Sequence, residues 1–595
     1  MSEEKPQLLR ALGLKEGIAI HMGVIIGSGI FIVPATIAGH LHAMGPIMLV
    51  WIVAGMLTFF GALTLAELSA VLPQTGGPYV YLRHSFGRLW AFLFSWNDFF
   101  INKAGSAAAI AIGFATYLGY FFEALSPENA FYKHGYSFLG QSMELAFGWN
   151  QIVAMAAIAL VTFINVRGVK FGGWVMNIFT TAKVAALVGL ILAVIFSGKG
   201  SSANFLPWWP EEWTSGMTAA FGLAMISALW AYDGWIDVTL TAGEFKNPQR
   251  NVPLSLLVGT LAIIAIYLSA NLAYAYVIPI SSMPGSPRIA ADVAQAVLGP
   301  LGASLIVVGI MCSTFGSTNG MLLAGPRSLY AGGVDGTFAK VFGNVHPRFH
   351  SPYVAIITLG VWGAILTLSG TYEQIISYVV FGSWAFYAMT AISVIILRRK
   401  MPNAERPYKA WGYPYATLLF VAIAGWFVYN TLVEDTRNAM LGIALLLLSL
   451  PFYFYWTLKS GIIIHGVKPA EEKHRMAECP RSVTVISWLL IVSSSLGLLV
   501  VIFATAVAIE LDPRFIPLVV AVFFFSILQA GNGIGMLEGK NWARMLFLWS
   551  TPIAIIIILV IFSYVSLFQF VWYIVFAIYL TRPVAVAYFK GTSVY

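Results

Sequence analysis

Charge is what this chain has least of: Asp, Glu, Lys and Arg make up 10% of its 595 residues, while 59% are hydrophobic. Soluble domains carry about 25% charged residues, so that composition, with a mean hydropathy of +0.81, excludes a water-soluble surface. Cysteine is nearly absent. The two present, Cys312 in an apolar run and Cys479 in a charged loop, give no basis for a disulfide framework, a metal site or redox chemistry. No H-E-x-x-H motif and no nucleophile paired with a base stands out, which removes an intramembrane protease. No repeated filter or ring of like charge speaks for a channel. The net charge of +8 is spread between apolar runs and forms no basic face for nucleic acid. No cofactor is called for.

What is there is a succession of apolar runs of about 20 residues, long enough to cross a hydrocarbon layer of roughly 30 Å as helices. They lack the polar alternation of a transmembrane barrel. About sixteen spans are expected, near residues 17–39, 46–72, 89–122, 150–166, 172–197, 216–243, 252–277, 291–331, 353–369, 374–398, 413–433, 438–458, 483–509, 514–535, 541–562 and 568–590. The polar start 1–16 leads into the first run with no small-residue cleavage site, so that helix is expected to stay. Of 33 Lys and Arg, five (Lys133, Lys199, Arg288, Arg437, Arg514) fall in one alternating set of loops and two (Lys103, Lys183) inside spans. The rest lie in the other set and the termini, which predicts both termini in the cytoplasm of a multi-pass cell-membrane protein surrounded by lipid. The charged loop 466–480 is expected to separate a core of about twelve spans (1–465) from four further helices (481–595).

Two spans are interrupted where a helix should be continuous. The first contains Gly23-Val24-Ile25-Ile26-Gly27-Ser28-Gly29-Ile30-Phe31, and each glycine costs about 1 kcal/mol against alanine inside a helix. The sixth contains Trp230-Ala231-Tyr232-Asp233-Gly234-Trp235. Unwound backbone at membrane depth is tolerated only where it lines a cavity or is buried in protein. Paired interruptions in corresponding positions point to an inverted-repeat transporter, with substrate between the repeats. Amides at Ser28 and Gly29 would then face an anion such as a carboxylate. Small residues that merely allow close helix packing are the alternative.

These segments, with Leu65-Ala66-Glu67-Leu68, Pro73-Gln74-Thr75-Gly76-Gly77-Pro78-Tyr79, Glu244-Phe245-Lys246-Asn247-Pro248-Gln249-Arg250-Asn251-Val252-Pro253 and Phe315-Gly316-Ser317-Thr318-Asn319-Gly320, resemble the L-type amino acid transporters of the amino acid–polyamine–organocation superfamily. The likeness covers residues 10–460. It implies an all-α, leucine-transporter-like fold of five plus five inverted repeats, near 17–197 and 216–398, followed by two helices. It also implies that Ile26, Gly27, Ser28 and Gly29 hold the α-carboxylate, and that carbonyls beside Trp230, Ala231 and Tyr232 take the α-amino group. Trp230 would be an aromatic gate, and Trp384 the aromatic of the tenth span. Lys183 falls where a lysine points at the cation position of sodium-coupled relatives, near Ser313 and Ser317. Asp233 stands where the compared members carry glycine, Ile236 where some carry a polar side chain, and the last four spans have no counterpart. The cysteine that heteromeric members use to bind an accessory subunit would lie within 123–149, which has none, so no disulfide-linked partner is expected.

Other ionisable residues need a place. Glu67 is either a gating or proton-linked carboxylate or a helix-end group satisfied by backbone or a neighbouring base. Asp98 and Lys103 read as an internal ion pair, with each other or with another helix, because an unpaired buried charge costs several kcal/mol. Lys183 must be paired or neutral. Asp233 must be protonated, paired with a base such as Lys103 or Lys183, or paired with substrate. The expected function is a secondary active amino acid permease working by alternating access, through sodium-independent exchange or proton-linked symport. A polyamine or organic cation carrier and a non-transporting amino acid sensor are the alternatives, and no enzyme is expected.

Overall fold

The computed structural model describes residues 7–434 apart from 127–128, 139–140, 287 and 369–371, together with 442–443, 446–447, 449–459, 487 and 529. Among them, eight helical stretches are long and apolar enough to cross a membrane, and Ser215–Ala231 and Tyr353–Leu366 are shorter apolar helices. The chain divides into two compact units, Met1–Glu434 and Asp435–Tyr595.

The first unit opens with α1 (Leu14–Ile25) and α2 (Gly29–Leu41), separated by a break at 26–28. The side chain of Glu16 accepts the Gly13 amide at 2.8 Å and so closes the start of α1. α3 (Met44–Val71) is the second span. The motif loop follows, and Gly76 and Gly77 there take φ of +117° and +49°. Gly76 donates its amide to Leu240 O at 2.9 Å, and a Cβ on Gly77 would meet Thr239 Oγ1 at 2.5 Å. The loop can therefore sit against the end of the sixth span only as glycine.

After α4 (Pro78–Ser85), the third span is built of α5 (Arg88–Trp96), a π-helical turn (Asn97–Lys103) and α6 (Ala104–Leu118). A two-stranded antiparallel hairpin follows, β1 (Tyr132–Phe138) against β2 (Gln141–Phe147). It is a departure from an all-α expectation. The aromatic and His residues 132, 134, 136 and 138 alternate with Lys, Gly and Ser, the two-residue period of a strand.

Next come α7 (Trp149–Val166), α8 (Val169–Ser197), α9 (Ser215–Ala231), the short α10 (Asp237–Leu240) and α11 (Pro248–Val277), which starts at Pro248 behind a left-handed Asn247. α12 (Ile289–Ala324) is followed through a helical Gly325 by α13 (Pro326–Asp335); α14 (Tyr353–Leu366), α15 (Tyr372–Lys400) and α16 (Tyr415–Glu434) complete the unit. The break expected in the sixth span is present, since residues 216–243 are two helices with a turn between them, and the span expected at 291–331 is kinked at Gly299, which takes φ of +74° and ψ of −168°.

α1 packs on α8, α11 and α12, α2 packs on α9, and α3 lies along α11. The broken spans are therefore central and surrounded. Of the second unit, the helix Leu450–Lys459 is described, with Thr457 donating to Tyr453 O at 2.6 Å. The expected boundary at 465, the loop 466–480 and the four helices of 481–595 lie outside the described residues, apart from 487 and 529.

Candidate functional site

The two breaks meet. Ile26 leaves the helix with ψ of 80°, and α2 restarts at Gly29, whose amide has no acceptor inside its own helix. In the sixth span, Asp233 N–H closes a turn on Trp230 O at 3.0 Å, and Gly234 takes φ of +94°. A Cβ on Gly29 would lie 3.0 Å from Ala231 Cα, and one on Gly234 would strike Val24 Cγ1 at 2.4 Å. Each break therefore approaches the other closely enough to need glycine. The Tyr267 hydroxyl of α11 lies 3.1 Å from Ile25 O and 3.0 Å from Ala231 O, one carbonyl from each break, and so ties the two together.

Between them is a narrow cleft with about 20 Å³ of free space. Gly27, Ser28 and Gly29 line it from one side, Trp230, Ala231 and Asp233 from the other, and Ser106 of α6 and Met321 of α12 complete much of the wall. Helix-end amides, free carbonyl lone pairs and a carboxylate thus converge on one space, which suits a small zwitterion. Asp233 accepts a hydrogen bond from the Tyr387 hydroxyl at 2.7 Å. Neither Lys103 nor Lys183 reaches it. The Lys103 ammonium is 2.5 Å from Asp237 Oδ1 and 3.8 Å from Asp98 Oδ1, which makes it an internal pair with its own span and with the sixth span at once.

Lys183 is fully buried and donates to Gly23 O at 2.8 Å, Ile26 O at 2.6 Å and Ser317 Oγ at 2.9 Å. An ammonium has three N–H bonds, so these contacts use all of them. Ser317 passes a bond on to Gly23 O at 2.8 Å, and Ser313 donates to Ile26 O at 2.9 Å. The first break is consequently held by a cation and two hydroxyls behind the cavity.

At one end of the bundle, Glu67 accepts from Arg398 Nε at 2.8 Å and Nη2 at 2.7 Å and from the Ala410 amide at 2.8 Å, with Arg406 at 3.5 Å. The Arg398 guanidinium stacks over Tyr413, 3.5 Å from the ring centroid. Glu67 thus has the neighbouring base that one reading required, and it joins α3 to α15 and to the segment after it.

Three expected substrate-binding residues stand elsewhere. Trp384 packs against Phe420, Phe427 and Tyr387, away from the cavity lining. Tyr387, three residues on and therefore on the same face of α15, is the side chain that reaches Asp233. Tyr232 turns toward Trp51 and Tyr267, its hydroxyl 3.4 Å from Trp51 O. Ile26 contributes its carbonyl to the lysine side and does not line the cavity. Sequence reasoning missed Asp237, Tyr387, Tyr267 and Ser106. Asp237 carried a signal, an acid four residues beyond Asp233 in a span already marked as interrupted; the others look like ordinary apolar-helix residues.

The profile of the family described as amino acid permease matches residues 12–450. The b(0,+)-type amino acid transporter 1 of Oryctolagus cuniculus is 33% identical over 405 residues, 68% of this chain and 79% of that protein. The serine/threonine exchanger SteT of Bacillus subtilis (strain 168) is 30% identical over 76% of this chain and 98% of its own length. The human cystine/glutamate transporter is 28% identical over 77% and 87% respectively. The chain belongs to the amino acid permease family, a family of transporters and not of enzymes, and is a multi-pass helical membrane protein.

Proposed function

We propose that this amino acid permease carries its substrate by alternating access through the cavity between the two broken spans, by sodium-independent exchange. The observation that carries the proposal is the convergence of Ser28 and Gly29 at the start of α2 with Trp230 and Asp233 at the end of α9 on one cavity. In this reading the α-carboxylate lies at the α2 N-terminus among Gly27, Ser28 and Gly29. The α-amino group lies at the carbonyl end of α9 near Trp230 and Ala231, with Trp230 as the lid. The first and sixth spans are then the opening helices of two inverted repeats of five, near 17–197 and 216–398.

Asp233 sets the substrate class. Its one described partner is the neutral Tyr387 hydroxyl, so its charge is left for the cavity, where a cationic side chain would complete it. A cationic amino acid is the substrate this favours, and a polyamine is the second reading that the same carboxylate supports. Lys183 occupies the place of a coupling cation, and Glu67 with Arg398 latches one face of the pathway. The protein works in the cell membrane with both termini cytoplasmic. It has no disulfide-linked subunit, since the loop 123–149 has no cysteine.

Counterflow in proteoliposomes tests the reading. Radiolabelled arginine should be exchanged and should be competed by arginine more strongly than by leucine or putrescine, and Asp233→Gly should erase the preference for the cationic side chain. Equal competition by all three in both proteins would refute the assignment of Asp233, and absence of counterflow for every amino acid would refute transport through this cavity.

A further inference from the structure

Behind Asp233 lies a buried charge cluster that the substrate site does not use. It rests on a helical irregularity. In an α-helix, residues five apart point about 140° away from each other, but Asn97–Lys103 is a π-turn, whose i to i+5 hydrogen bonding brings residues five apart to one side. Asp98 and Lys103 therefore share a face. Asp237, at the start of α10 just past the second break, meets the same ammonium at 2.5 Å. Gly325, at the junction of α12 and α13, leaves room for the Lys103 stem, where a Cβ would come within 2.8 Å of its Cγ.

The charges do not balance. Lys103, Asp98 and Asp237 are all at most 1% exposed, so two carboxylates face one ammonium with no water to screen the excess. Both oxygens of Asp98 and Oδ2 of Asp237 are buried without a hydrogen-bond donor. The neighbouring polar groups are mostly engaged elsewhere. Ser328 of α13 faces both Asp98 and Gly325 O, the latter at 3.0 Å, and has one hydrogen for the two, and Asn102 is bonded to Ser383 of α15 at 2.7 Å. Thr239 of α10, next to the buried Tyr81 of α4, gives its hydrogen to Ile236 O at 2.6 Å. Arg327, adjacent to Ser328, is held by Glu244 at 2.8 Å. Tyr387 of α15 donates to Asp233. Asp233 itself acts on Asp98, Asp237 and Lys103 through the field, which adds more negative charge from the substrate side.

A proton is the species that such a site lacks. It cancels the excess charge and turns one orphan acceptor into a donor, as in other pairs of carboxylates that cannot both ionise. We propose that Asp98 and Asp237 hold one exchangeable proton between them, and that the cluster releases it when a cationic amino acid binds beside Asp233. The bound cation offsets the field of Asp233, so the pair tolerates its second negative charge, and the proton leaves to water on the side to which the cavity is open. A neutral amino acid leaves that field in place and releases no proton. The proposal rests on the reading of Asp233 as the side-chain contact of the substrate.

The test uses the full chain, purified and reconstituted in weakly buffered medium. Adding arginine should release about one proton per arginine bound, adding serine should release none, and a substrate-induced infrared difference spectrum should show loss of a protonated-carboxyl band with arginine. Asp98→Asn, which leaves Lys103 and Asp237 as a neutral pair, should abolish both signals and flatten the pH profile of whatever counterflow remains. Asp98→Glu should restore them. Arginine binding without proton release in the wild type, or release that survives Asp98→Asn, overturns the proposal. If Asp98→Asn fails to insert, the wild type and Asp98→Glu decide by the same release. If arginine does not bind at all, the functional reading fails separately; a protonated-carboxyl band at neutral pH that Asp98→Asn removes then supports the proton site, and its absence overturns it.

Discussion

Replacing Lys183 by alanine should damage substrate binding more than it damages the fold. The ammonium makes three hydrogen bonds in a dry site, to Gly23 O, Ile26 O and Ser317 Oγ. Bonds to a charged group contribute about 1.5–3 kcal/mol each. Most of that is cancelled, because burying a lysine costs several kcal/mol of desolvation, which the variant recovers. Nor are the acceptors orphaned. Gly23 O keeps Ser317 at 2.8 Å, and Ile26 O keeps Ser313 at 2.9 Å. The net change in stability should therefore be small, on the order of 1–2 kcal/mol. What is lost is the one group that fixes the carbonyls of residues 23 and 26 relative to α8, and with them the direction of the amides of 28 and 29. If about 1.4 kcal/mol of that loss falls on the binding-competent arrangement, apparent affinity drops roughly tenfold. Arginine counterflow at graded concentrations, beside a thermal unfolding scan in detergent, measures both quantities. Affinity within twofold of the wild type would show that Lys183 does not shape the site. Wild-type uptake that collapses when choline replaces sodium would show that it does not stand in for a cation.

Gly234→Ala should abolish transport in a chain that still inserts, because φ of +94° and a Cβ 2.4 Å from Val24 Cγ1 leave no strain-free arrangement; Gly222→Ala, whose Cβ would meet Asn430 Nδ2 at an ordinary 3.5 Å, is the tolerated control, and full counterflow by the first variant would count against the close approach of the two breaks. Glu67→Gln keeps an acceptor but loses the charge. With Arg398 about a quarter exposed, the loss should be about 1 kcal/mol, enough to raise several-fold the labelling of a cysteine placed at Leu397 by an impermeant thiol reagent, and unchanged labelling would remove the latch. A chain ending near Pro469 should retain counterflow if the last four expected helices are an appended module; a well-inserted truncation that no longer binds substrate would place them in the pathway.

The legible part of this protein was the part written in glycine. Gly23, Gly27 and Gly29 in one span and Gly234 in another are costly in a helix and otherwise unexplained, so they marked where the backbone had to break and approach a neighbour. The structure breaks there, at 26–28 and 232–236. For Lys183 the need was legible, since a lone cation in an apolar run must find acceptors, while its place beside the first break followed from the family resemblance alone. Side-chain direction was not legible. Whether Trp384 or Tyr387 turns toward Asp233 depends on the rotation of α15 about its axis, which apolar periodicity cannot fix in a helix surrounded by apolar neighbours. The π-turn was hidden for the same reason. Read as a plain α-helix, the third span puts Asp98 and Lys103 on divergent faces, and the unbalanced cluster with Asp237 emerges only when one extra residue is fitted into the turn. The residues that need partners are therefore readable from the chain, while the choice among candidate partners is not, because burial cost is a property of the sequence and register is a property of the packing.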